Sequence, residues 1–163
     1  MSSPPHTAES PYATDNRVLE DQPDDLLSEI HVLANLIARA FSGQLEAAFG
    51  VSVPEWRVLL TLARHPGLTA AEITNRWAMD KMAISRAIQR LEADGRIRRD
   101  RNPDDRRSFS LLLTEDGRQL HATILPVANE RYHAFLSCLS KEEQTSLRQS
   151  MDKLIAHAET LRD

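Results

Sequence analysis

The sequence predicts a mainly α-helical chain with one small β-hairpin near its middle, on the strength of three observations. Between Ser52 and Gly117, three helical patterns are followed by two short strands. Each of those helices opens on a hydroxyl or carboxylate side chain that can cap it. Long periodic apolar stretches flank the whole segment on both sides.

The first flank, over 24–51, carries Leu26, Leu27, Ile30, Leu33, Ala34, Ile37, Ala40, Phe41, Leu45 and Phe49. That spacing predicts one long helix, apolar over more than a narrow stripe. Ser52 and Glu55 form an S-x-x-E capping box with Pro54 in the first turn. Trp56, Leu59, Leu60 and Ala63 then mark the expected buried stripe, and His65-Pro66-Gly67 ends the helix. Thr69 and Glu72 make a second capping box for a short helix whose apolar positions are Ile73 and Trp77. Asp80 caps the third, in which Ile84, Ala87, Ile88 and Leu91 fall at i, i+3, i+4 and i+7. Asp94-Gly95 stops it, glycine accepting the left-handed backbone of a helix end. Ile97–Arg101 and 108–113 read as strands, with turn chemistry at Asn102-Pro103-Asp104-Asp105-Arg106-Arg107. Thr114 caps a helix running through about Cys138. Ser140 and Glu143 box a last helix carrying Leu147, Met151, Leu154, Ile155, Ala158 and Leu161.

This order over 52–113 is that of a winged helix-turn-helix, with helices on either side at 24–51 and 114–163. The face left outside the third helix holds Lys81, Met82, Arg86, Gln89, Arg90 and Ala93. A helix fits the major groove of duplex DNA, and an arginine on a thin hairpin fits the minor groove. Lys81, Ser85, Arg86, Gln89 and Arg90 are therefore expected to meet bases or phosphates, with Arg106 and Arg107 on the wing. The competing reading is a solvated charged face.

Charge placement agrees. The chain carries a net −4, which by itself disfavours binding to phosphate. Residues 1–29 hold a net −6, leaving +2 for the rest, and Arg76–Arg107 holds ten bases against six acids. Residues 1–23, with four prolines among Ser, Thr and acids, read as a disordered tail. No apolar run suits a signal peptide or membrane span, so a cytoplasmic protein is expected.

Trp56-x-Val58-Leu59, Thr69-x-x-Glu72-Ile73, Ser85-Arg86, Leu91-Glu92-x-x-Gly95, Asp104-Asp105-Arg106-Arg107 and Leu113-Thr114-x-x-Gly117, in this order, resemble the MarR (multiple antibiotic resistance regulator) family. The resemblance covers about residues 24–160. One departure is Arg96, where the family usually has an apolar residue; Ile97 is then expected to supply the core contact. The resemblance implies a homodimer interlocked through its terminal helices, binding a palindromic double-stranded operator as a transcription factor, in most cases a repressor. It also implies that the wing aspartate, Asp105, orients Arg107. A small effector, such as an aromatic or phenolic acid, is implied in a cleft lined here by His31, Asn35, Arg39, Trp56, Arg57 and His121. The alternative function is a winged-helix module that binds a protein instead of an operator.

The rest of the chemistry is sparse. The histidines lack metal-ligand spacing, and the single cysteine supplies neither a zinc site nor an internal disulfide. Cys138, between Leu136 and Leu139, is expected to be buried and structural. Nothing resembles a nucleophile with its base, a close carboxylate pair or a phosphate-cradling glycine loop, so neither an enzyme nor a cofactor is expected.

Overall fold

The computed structural model describes residues 23–101 and 109–161. Its element order is α1 (Pro23–Phe49), α2 (Val53–Arg64), α3 (Ala70–Trp77), α4 (Lys81–Ala93), β1 (Ile97–Arg101), β2 (Phe109–Leu113), α5 (Glu115–Leu136) and α6 (Lys141–Thr160). The chain divides into two compact units, Met1–Gln44 and Leu45–Asp163. In the first unit the described residues belong to α1, which exposes Leu26, Leu27, Ile30, Val32, Leu33 and Leu36.

In the second unit each expected cap forms. The Ser52, Thr69 and Ser140 side chains accept the amides of Glu55, Glu72 and Glu143, and each glutamate returns the bond to its cap residue. Asp80 accepts the Ala83 amide at the start of α4, and Thr114 accepts the Gly117 amide at the start of α5. These bonds satisfy donors that the first turn of a helix leaves unpaired. Gly95 closes α4 with φ +68°, the left-handed geometry its sequence required.

The core gathers Ile73 from α3, Ile84, Ala87, Ile88 and Leu91 from α4, Ile97, Leu111 and Leu113 from the hairpin, and Ile124 and Ala128 from α5. Fully burying one such aliphatic side chain contributes about 1.5–3 kcal/mol. The α4 stripe therefore fixes which face of that helix turns outward. The α2 stripe differs from expectation: Trp56, Val58, Leu59 and Leu62 are buried, Leu60 is half-buried and Ala63 is exposed. The reason is that α2 packs against α3, α4, β2 and α5 at once, which asks for a wider apolar face than one stripe.

The hairpin is antiparallel, with Ile97 opposite Leu113 and Arg101 opposite Phe109. Ile97 does supply the core contact beside Arg96, whose guanidinium reaches the Asp116 carbonyl. Leu111 also exchanges backbone bonds with Gly67 and Leu68, which ties the loop after α2 to β2. The base of the hairpin is locked to α5, because the Thr114 hydroxyl donates to the Gly95 carbonyl at 2.7 Å. Gly117 packs so closely that a Cβ there would collide with the Arg96 carbonyl.

Cys138 departs from its expected burial. α5 ends at Leu136 and Cys138 lies exposed in the turn before α6, since Ser137 closes the helix with its hydroxyl on the Ala134 carbonyl. α6 buries none of its residues within this chain, and Leu147, Met151, Leu154 and Ile155 stand exposed along it.

Candidate nucleic-acid interface and effector pocket

The outward face of α4 follows from its buried stripe. With Ile84, Ala87, Ile88 and Leu91 inside, Lys81, Met82, Arg86, Gln89 and Arg90 are exposed and Ser85 is half-buried. Met82, 61% exposed, adds an apolar group to this polar face. Thymine methyl groups in the major groove are a fitting partner for such a side chain.

Ion pairing sorts the cations of this region. Arg99 bonds Glu92 at 2.9 Å and Arg98 bonds Asp100 at 2.7 Å, while Arg96 lies 4.0 Å from Asp116. Arg90 lies 3.3 Å from Glu55, a carboxylate almost fully buried at the start of α2. Among the described residues, Lys81, Arg86 and Arg101 have no carboxylate within 4 Å. Arg76 meets the His65 ring at 2.9 Å instead of an acid. Sequence reasoning placed Arg86 and Lys81 on this surface. It missed Arg101, at the open end of the hairpin, and the acid that holds Arg90. The Arg101 signal was its place as the last residue before the turn; the Glu55 signal was masked by its capping role. Asp105, Arg106 and Arg107 lie outside the described residues.

The residues expected to line an effector cleft divide between the two units. On α1, His31, Asn35 and Arg39 are exposed, and a His31 ring nitrogen bonds the Leu27 carbonyl at 2.8 Å. In the second unit, Trp56 and His121 stack with ring centroids 5.5 Å apart. The Trp56 indole donates to the Tyr132 hydroxyl at 3.3 Å. Arg57 lies over the Trp77 ring, 4.9 Å from its centroid, and the Trp77 indole donates to the Thr61 hydroxyl at 2.8 Å. Leu60, Thr61, Arg64, Arg76 and Trp77 line an open cleft of about 170 Å³. Sequence reasoning missed Arg64, in the last turn of α2, and also Arg76, Trp77 and Tyr132, which reach this cluster only through the packing of α3 and α5 on α2.

The electrostatics of the cluster are unusual in two places. Burial lowers the Arg57 pKa, opposed by its charge interaction with Tyr132. Burial, and secondly the positive charge of Arg64, lower the His121 pKa, which favours the neutral ring. Its Nε2 is buried, with no hydrogen-bond partner among the described residues.

No described helix is long and apolar enough to cross a membrane. Among the described residues no cluster of His, Cys, Asp and Glu is arranged to hold a metal ion.

Comparison with known proteins agrees with this geometry. A model described as "MarR family" matches residues 49–108. The HTH-type transcriptional regulator TtmR of Methylorubrum extorquens is 35% identical over 104 residues, covering 61% of this chain and 53% of TtmR. The chain thus spans about half the length of that relative. The HTH-type transcriptional repressor MdtR of Bacillus subtilis is 28% identical over 140 residues, covering 84% of this chain and 90% of MdtR. Among solved structures, a MarR/EmrR family transcriptional regulator from Acinetobacter matches with a TM-score of 0.78 at 26% identity. That match covers 84% of this chain and 96% of the Acinetobacter chain.

Proposed function

The chain belongs to the MarR family of transcriptional regulators, and from that premise we propose that it is a homodimeric repressor that binds a palindromic double-stranded DNA operator. The observation that carries this reading is the outward face of α4, where Lys81 and Arg86 stand exposed without a carboxylate partner among the described residues, close in sequence to the hairpin. A helix presenting such a face reads base edges in the major groove, and Arg101, at the end of β1, supplies a further cation; Arg106 and Arg107, outside the described residues, are proposed from the sequence alone. The repressor assignment follows the name of MdtR.

The exposed apolar faces support the dimer. Leu147, Met151, Leu154 and Ile155 follow helical spacing on α6, and a helix with such a face needs another surface to cover it. One recognition helix reads only a few base pairs; a two-fold pair reads two half-sites one helical turn apart. The effector we propose is a small aromatic acid held in the second unit, with an arginine of the Arg57–Arg64–Arg76 group on its carboxylate. A cavity of about 150 Å³ holds a benzene ring, so the cleft described above suits a single ring. His31, Asn35 and Arg39, in the other unit, add nothing to this support.

The test is fluorescence anisotropy with a duplex that the protein itself selects from a random pool, titrated against salt. The expected result is log affinity falling linearly and steeply with log salt concentration, because released counterions drive phosphate binding. Weak salt dependence, or selection of no duplex, would favour the alternative of a winged-helix module for a protein partner.

A further inference from the structure

Glu55 is 2% exposed, and both of its oxygens are used. Its Oε2 accepts the Ser52 amide and the Ser52 hydroxyl, each at 2.6 Å, which completes the capping box of α2. Its Oε1 faces Nε of Arg90 across 3.3 Å, joining the N-terminus of α2 to the last turn of α4. The two side chains differ sharply in exposure, 3% for Glu55 and 59% for Arg90. One edge of the guanidinium therefore rests on a rigid, buried carboxylate. Among the described residues, the contact to Glu55 is the ion pair that Arg90 makes, and it is made through Nε.

We infer that Glu55 is a positioning residue that sets Arg90 against the phosphate backbone of bound DNA. The inference rests on the DNA-binding reading above. Arg90 lies in the last turn of α4, whereas base edges are met by the N-terminal residues of a recognition helix, so its natural partner is a phosphate. A planar guanidinium presents donors on two edges, and holding one edge leaves the other ready for a bidentate contact. A long side chain already ordered loses less freedom on binding than a free one. Glu55 is locked by its own cap, so the same bonds that start α2 also orient a DNA contact.

Electrostatics and positioning predict opposite signs for one substitution. Removing a negative charge beside the DNA surface should tighten binding if charge alone counts. If Glu55 positions Arg90, its loss should weaken binding. Glu55→Gln separates the two, since glutamine still completes a capping box. The readouts are affinity for the duplex selected by the wild-type protein, affinity for a random duplex of equal length, and Tm. We expect Glu55→Gln to bind both duplexes several-fold more weakly, with the double variant Glu55→Gln/Arg90→Ala no weaker than Arg90→Ala. Arg90→Ala should reduce the salt slope by about 1 per lost phosphate contact. Arg90→Lys, at an exposed position that leaves the fold unharmed, keeps the charge but loses the planar edge, and should bind like Arg90→Ala. Unchanged or tighter binding by Glu55→Gln, or wild-type binding by Arg90→Lys, would overturn the inference. Should Glu55→Gln fail to fold, the Arg90→Lys comparison decides. Failure of the wild-type protein to select any duplex would instead remove the DNA-binding reading, and the inference with it.

Discussion

Replacing Arg86 by alanine is the most direct probe of readout by α4. The side chain is exposed in the first half of the helix, opposite the buried Ile84, Ile88 and Leu91, and has no carboxylate partner among the described residues. It contributes nothing to the core, so stability should change by less than about 0.5 kcal/mol. A bidentate arginine–guanine pair discriminates by about 1–3 kcal/mol. A two-fold dimer makes the contact twice, giving about 2–6 kcal/mol, or a loss of about 30-fold to 10⁴-fold on the selected duplex. Random duplexes, which meet Arg86 only through phosphate, should lose far less. The assay is competition anisotropy with selected and random duplexes at one salt concentration, beside a urea melt. Equal losses on both duplexes would refute base reading and make Arg86 a phosphate contact. A large fall in stability would show that the burial argument for this face is wrong.

Removing residues 140–163, or placing a glutamate at Leu154, should yield monomers or aggregates and abolish operator binding. Sedimentation of the intact chain as a monomer at micromolar concentration would count against the two-half-site arrangement. Gly117→Ala should destabilise by about 1–3 kcal/mol, because the new methyl meets the backbone carbonyl of Arg96 and not a flexible side-chain tip. An unchanged urea midpoint would show that the start of α5 yields easily. For pH, the His121 pKa is lowered in the folded chain by burial and then by Arg64, from an ordinary value of about 6.5. The unfolded chain therefore takes up the proton first; the stabilisation is complete above about pH 6.5 and is lost as pH falls toward the lower folded value. His121→Phe should remove that component, and identical pH profiles for the variant and the wild-type protein would exclude it. A separate loss, at lower pH, should follow from Glu72 and Glu143, whose folded pKa values are lowered by the amide bonds from Thr69 and Ser140.

The fold was legible in the sequence wherever it rested on local chemistry. Ser52, Thr69, Asp80, Thr114 and Ser140 each announce a helix start by a side-chain oxygen three residues before an amide it can satisfy. The periodic stripe of α4 was equally clear, since one face alone of that helix is buried. The α2 stripe was read too narrowly because four neighbours bury that helix, and no periodicity in twelve residues reports how many partners will arrive. Pairings at long range left no trace at all. Glu55 with Arg90, Trp56 with Tyr132 and Trp77 with Thr61 are set by how helices cross, which the sequence spacing does not encode. Cys138 was misread because a cysteine between leucines resembles a helix interior, whereas the serines at 137 and 140 end one helix and cap the next.

The ion pairs bear on how a chain of net −4 can bind a polyanion. Counting bases along Arg76–Arg107 suggests a uniformly cationic surface. The structure divides them: Arg90, Arg96, Arg98 and Arg99 are matched by Glu55, Asp116, Asp100 and Glu92, whereas Lys81, Arg86 and Arg101 have no such match among the described residues. A matched arginine adds little long-range attraction, because its field is cancelled within a few ångströms and screened beyond about 8–10 Å. Diffuse attraction to any DNA is thereby reduced, while an unmatched cation on the reading face keeps its full strength at contact. On the DNA-binding reading proposed above, non-specific binding should fall more than specific binding, which would raise the ratio between them that a regulator needs against an excess of competing sites. The charge-removing variants Glu92→Gln and Asp100→Asn test this. Both should strengthen binding to random duplexes more than to the selected duplex, and so lower the specificity ratio. An equal gain on both would mean that these carboxylates only balance charge on the strand and do not discriminate between DNA sequences.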